Sequence, residues 1–158
     1  MKKKLLLISG IILSIFILFN AFWFIWREIK FNKYIVYMEP NVFSTIMVPR
    51  YYFIDEEGYT YYVKYPDYLS FSGNVTVMIP IEDDSVESFD NTLIIWVHFG
   101  GKYEYGMFIH EDDNVYQIYI DEQGNAIDSD TSEIIGRHKS DIEILLQKAN
   151  KIWDIPIK

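Results

Sequence analysis

Three histidines, His98, His110 and His138, stand among 23 acidic residues. An imidazole titrates near neutral pH, so a carboxylate beside it can orient it as a general base or join it at a metal ion. His110 runs directly into Glu111, Asp112 and Asp113 and is the best candidate for that chemistry. An acidic turn with a histidine at its edge is equally an ordinary solvated hairpin, and that is the reading preferred here. His98 ends an apolar stretch beside Tyr103, the setting of a core histidine hydrogen-bonded to a tyrosine or a backbone group. His138, between Arg137 and Lys139, reads as exposed. No two histidines are four residues apart and the chain has no cysteine, so a tetrahedral zinc set is not encoded locally.

The remaining carboxylates are read the same way. Asp121 to Asp130 is rich in oxygen donors, but Gly124 falls fourth instead of sixth, and Ser132 holds the twelfth place where a calcium loop needs glutamate. Glu82, Asp83, Asp84, Glu87 and Asp90 suit a solvated loop. A carboxylate pair for glycoside hydrolysis is defined by distance in space, which the sequence does not display. Nucleophile-elbow, phosphate-loop and dinucleotide fingerprints are absent. Asn74-Val75-Thr76 matches a glycosylation sequon, relevant only in a eukaryotic secretory pathway. No residue is therefore assigned as catalytic, cofactor-binding or metal-binding, and no cofactor is expected. The other chemical resource is aromatic: 13 tyrosines, all between Tyr34 and Tyr119, suit strands and also surfaces that stack on glycans or peptides.

What positions these residues begins with an anchor. Leu5 to Trp26 carries no charge over 22 residues, between Lys2-Lys3-Lys4 and Arg27. As a helix it is about 33 Å long, enough for a hydrocarbon core of about 30 Å. Phe22, Trp23, Phe24 and Trp26 suit an interfacial belt better than a cleavage site, so an uncleaved anchor is expected rather than a removed signal. The lysine cluster places the N-terminus in the cytoplasm and the bulk of the chain outside. Gly10, Ser14 and Ala21 share a helical stripe that could pack against a second helix, although such stripes arise readily by chance.

The rest reads as an acidic α+β unit. Tyr51–Ile54 and Tyr59–Tyr65 flank a hairpin loop at Asp55-Glu56-Glu57-Gly58, with Tyr59, Tyr61, Val63 and Tyr65 on one face and Thr60, Tyr62 and Lys64 on the other. Val42–Val48 and Val75–Ile79 read as further strands, and Phe31–Met38 as helix extension or strand. Thr92–Phe99 is an interior strand followed by a two-residue turn at Gly100-Gly101. That turn places His98 opposite Tyr103, Trp96 opposite Tyr105 and Ile94 opposite Met107. A hairpin at Asp112-Asp113 places Ile109 opposite Tyr116 and Met107 opposite Ile118. Asp121–Asn125 is a turn. Ser140 and Glu143 form a capping box at the start of a helix whose stripe is Ile142, Leu145, Leu146, Ala149, Ile152 and Trp153, with Lys148 on its polar side. That helix should cover the face holding Trp96, Met107 and Ile118.

The expected organisation is thus a cytoplasmic stub and transmembrane anchor over residues 1–30 and an extracytoplasmic acidic domain over residues 31–158. Its fold class is α+β: a small antiparallel β-meander packed by a C-terminal amphipathic helix. The formal charge of −9 argues against nucleic acid as a partner. The expected partners are the bilayer, through residues 5–26, and a protein of the membrane or envelope. The function expected is a non-catalytic binding or accessory module. A small envelope hydrolase using carboxylates and a histidine is the alternative, and a homo-oligomer assembled through the anchor is the third reading.

Overall fold

The computed structural model describes residues 2–80, 91–111 and 114–156. The uncharged segment is helical throughout: α1 spans Lys2–Phe31, then tightens into a 3-10 turn at Asn32–Tyr34. Among the described residues it is the one helix long and apolar enough to cross a membrane. The stretch from Leu6 to Leu18 stands free and carries exposed apolar side chains. Its last turns are packed: Trp23 and Phe31 are fully buried and Arg27 nearly so.

Seven strands follow in sequence order as one antiparallel meander: β1 Glu39–Pro40, β2 Arg50–Ile54, β3 Thr60–Lys64, β4 Ser72–Met78, β5 Thr92–His98, β6 Tyr103–Glu111 and β7 Asn114–Ile120. Two helices then return across the sheet, α2 over Ser132–Arg137 and α3 over Lys139–Trp153. The fold class is α+β, as the hydrophobic periodicities require. Ile142, Leu145, Leu146, Ala149 and Trp153 of α3 are buried against a sheet face formed by Val63, Val75, Val77, Leu93, Ile95, Met107, Ile118 and their neighbours. The indole N–H of Trp153 donates to the Tyr34 carbonyl at 3.0 Å, joining the two helical ends of the chain. Asp154 takes a left-handed conformation (φ 49°) and ends α3 before Pro156.

The β2–β3 hairpin turns where expected, with Gly58 at φ +87°. The β6–β7 register is also the expected one, pairing Ile109 with Tyr116 and Met107 with Ile118; residues 112–113 of its turn lie outside those described. The β5–β6 register is shifted by one. Phe99 joins Gly100 and Gly101 in a three-residue loop, closed by the His98 N–H donating to the Lys102 carbonyl at 2.9 Å. Val97 therefore faces Tyr103, Ile95 faces Tyr105 and Leu93 faces Met107. One residue of slip exchanges the faces of a strand. Leu93, Ile95 and Val97 are buried, whereas Ile94, Trp96 and His98 lie on the opposite face. α3 accordingly packs on the Leu93, Met107 and Ile118 face without Trp96.

Three further expectations are corrected. Residues 42–48 form successive turns, because the Asn41 and Thr45 side chains accept the N–H groups of Phe43 and Val48 at 2.9 and 3.0 Å in place of a strand partner. The Ser140–Glu143 capping box does not form: α2 runs into α3 through His138, and Ser140 already lies within the helix. Lys148 is not on a free polar face: its ammonium contacts Asp55 and Glu57, each at 2.9 Å. The acidic stretch containing Glu82, Asp83, Asp84, Glu87 and Asp90 lies outside the described residues.

Candidate binding surface

The histidines separate by environment. His98, half-exposed on the open sheet face, has Nε2 3.2 Å from Glu104 Oε2, and Lys102 bonds the other oxygen of that carboxylate at 3.1 Å. The Lys102 ammonium and the nearby imidazole hold the Glu104 carboxyl below its usual range despite partial desolvation. This is a different place from the core site beside Tyr103 expected for His98. The His110 backbone N–H donates to the Asn91 side chain at 3.1 Å. His138, expected to be exposed, is half-buried and has a carboxylate on each side. Its Nδ1 is 3.0 Å from Asn91 Nδ2 and 3.9 Å from Asp141, and its Nε2 is 3.9 Å from Glu111.

That grouping acts as a fastener. Arg137 grips both oxygens of Glu111 at 2.7 and 2.8 Å and reaches Glu133 at 3.0 Å. The bidentate contact holds Glu111 below the ordinary carboxylate range. Asn91 donates to Asp141 at 2.9 Å while accepting from His110. The cluster ties α2 and the start of α3 to β5 and β6; Arg137 with Glu111 and Asn91 with Asp141 are bonded to one another, while His138 Nε2 is buried without a hydrogen-bond partner among the described residues. No group of three histidine, aspartate or glutamate side chains among the described residues is arranged to hold a metal ion. The Asp121 carboxylate accepts N–H bonds from Gln123 and Asn125, both at 2.9 Å, and so serves its own turn.

The more informative surface is the sheet face away from α3. Direct cross-strand pairing aligns Tyr52, Tyr62, Thr76, Ile94, Gly106 and Tyr119 in one row over six strands. A second row runs Arg50, Lys64, Asn74, Trp96 and Glu104. Gly106 lets the rows interlock: a Cβ there would lie 2.8 Å from the Trp96 ring, so only glycine lets the indole cross it. The indole then meets Tyr119 with ring centroids 5.5 Å apart. Tyr119 is 52 % exposed, and Tyr52, Tyr62 and Trp96 are half-buried. No described helix or strand covers this face. It carries aromatic rings with a charged border at Arg50, Lys64 and Glu104 and the polar His98 beside it, suited to stacking and to polar recognition at its rim.

The hairpin alternation already required one face to carry Thr60, Tyr62 and Lys64. The join from Tyr62 to Trp96 and Tyr119 depends on four further registers and was not legible in the sequence. Comparison with protein-family models, with curated proteins and with solved structures finds no match.

Proposed function

We propose that the chain is a membrane-anchored, extracytoplasmic, non-catalytic binding or accessory module, with its N-terminus cytoplasmic and the bilayer held through residues 5–26. The observation that carries the binding role is the sheet face, covered by no described helix or strand, that carries Tyr52, Tyr62, Trp96 and Tyr119. Aromatic rings already held in a sheet lose little conformational freedom on contact, which favours recognition of a protein segment. The exposed apolar length of α1 supports anchoring, and Lys2–Lys4 support the orientation. The hydrolase alternative would have to draw on the His138 grouping, where Arg137 occupies Glu111 and Asn91 occupies Asp141.

Two measurements test the proposal. Because the chain has no cysteine, a single Glu56→Cys can be labelled with an impermeant maleimide in intact cells; labelling is expected, and labelling only after lysis overturns the orientation. Purification of the full-length protein from membranes should recover a stoichiometric partner that Tyr62→Ser with Trp96→Ser releases. Recovery of the protein alone, or a partner indifferent to both substitutions, removes the sheet face from the proposal.

A further inference from the structure

The free part of α1 is too short to cross a bilayer by itself. Contact with the sheet domain begins at Phe19, whose ring meets Phe71 with centroids 6.5 Å apart, and at Asn20, which accepts the Tyr68 hydroxyl. Leu5 to Leu18 is about 21 Å of helix, against a hydrocarbon core of about 30 Å. The shortfall is about six residues. If α1 spans, Phe19 to Phe24 must also lie within the hydrocarbon, and tilting the helix only enlarges the deficit.

Whatever packs on those residues goes with them. The Trp23 indole N–H donates to the Ser70 carbonyl at 2.7 Å, and its ring meets Tyr68 at 5.5 Å. Trp26 contacts Phe71 at 5.0 Å and Phe99 at 5.6 Å. Phe22, Phe71 and Phe99 line a shallow concavity. Phe99 and Leu69 present apolar side chains at this depth, 56 % and 39 % exposed, and the Tyr68 hydroxyl is taken up by Asn20. Leu69 holds a left-handed backbone (φ +61°), which a leucine adopts only at a conformational cost.

We propose that the β3–β4 loop and the β5–β6 turn, through Tyr68, Leu69, Phe71 and Phe99, are seated in the lipid interface beside α1, so that the domain sits on the bilayer at a fixed angle. This rests on the membrane-spanning reading of α1. The occupant is lipid because the helix that sets the depth of the patch has no other way to complete its crossing. The attraction is apolar, since a chain of net charge −9 gains nothing from anionic headgroups. The Gly58 hairpin, at the opposite end of β3, stays in water.

Single cysteines at Leu13, Leu69, Phe99 and Glu56 of the full-length protein, each carrying a small fluorophore, would be compared in vesicles of plain and brominated phosphatidylcholine. Probes at Leu13, Leu69 and Phe99 should lose fluorescence in brominated vesicles, while the Glu56 probe should respond only to aqueous iodide. Quenching at Leu13 with Leu69 and Phe99 behaving like Glu56 overturns the loop contact and leaves the span standing. An unquenched Leu13 overturns the span itself. Loop probes shielded from both lipid bromine and iodide show that protein covers the patch, which also overturns a lipid seat.

Discussion

Lys148 and Asp55, 93 residues apart in the chain, meet at 2.9 Å and fasten α3 to the β2–β3 hairpin. Both side chains are largely covered, at 13 % and 18 % exposure. The ammonium also touches Glu57 and lies 4.2 Å above the Tyr59 ring, while the Tyr61 hydroxyl donates to the same Asp55 oxygen at 3.0 Å. Lys148→Ala strands the Asp55 carboxylate and should cost about 1–3 kcal/mol. Equal denaturation midpoints for variant and wild type would refute it.

The same pair sets a pH dependence. Partial burial pushes the Asp55 carboxyl up, but Lys148, Tyr61 and the Tyr59 N–H together outweigh it, so its pKa falls below the ordinary value. A carboxyl lowered on folding contributes stability above its unfolded pKa and loses it as pH falls through the folded one. Burial pushes Lys148 down, but Glu57 and Asp55 raise it overall, so its contribution is present below its unfolded pKa and fades as pH rises through the folded value. The stability gap between wild type and Lys148→Ala should therefore be widest at neutral pH and narrow below about pH 4. Urea titrations at several pH values measure it.

Leu145 is fully buried between α3 and the sheet. Leu145→Ala should cost about 2–5 kcal/mol through lost burial and an unfilled cavity. Gln147, exposed on the same helix, is the control, and Gln147→Ala should be nearly silent. Thermal or urea unfolding of the detergent-solubilised protein separates them.

Arg27 joins the helix to the 41–49 loop. The residue is 3 % exposed, and its guanidinium carbon lies 5.1 Å from the Trp23 ring centroid, 5.0 Å from Phe24 and 5.7 Å from Tyr65. It donates to the carbonyls of Ile46 and Met47 at 3.2 and 3.0 Å. Lysine lacks the planar fork that serves rings and carbonyls together. Both Arg27→Ala and Arg27→Lys should release the loop, at a cost of about 1–3 kcal/mol for the alanine. Faster proteolytic cleavage between residues 42 and 48 is the readout, and an unchanged cleavage rate contradicts the role.

The apolar helix should remain on the mature protein. Phe19 packs on Phe71, Asn20 accepts the Tyr68 hydroxyl and the buried Trp23 donates to Ser70, so removal of the first 21 to 25 residues would strip part or all of that packing. Intact mass of membrane-extracted protein decides this: a mass that includes Met1 agrees, and loss of the segment refutes it.

Much of this architecture follows from local pattern. Twenty-two uncharged residues impose a helix, Gly58 and Gly124 mark turns by taking positive φ, and alternation along Tyr103–Ile109 and Tyr116–Ile120 sorts inside from outside. The stripe from Ile142 to Trp153 announces a covered helix. Local pattern failed at β5. Leu93-Ile94-Ile95-Trp96-Val97 is apolar on both faces, so its own residues carry no preference, and the side it buries is set by how many residues the Phe99–Gly101 loop consumes. That single residue moved Trp96 from the core to the open face and created the aromatic surface with Tyr119. The Lys148–Asp55 bridge, the Arg27 joint and the Phe71–Phe99 collar around α1 join residues far apart in the chain. Their energies depend on distance in space, which periodicity does not encode, so only the tertiary structure could decide them.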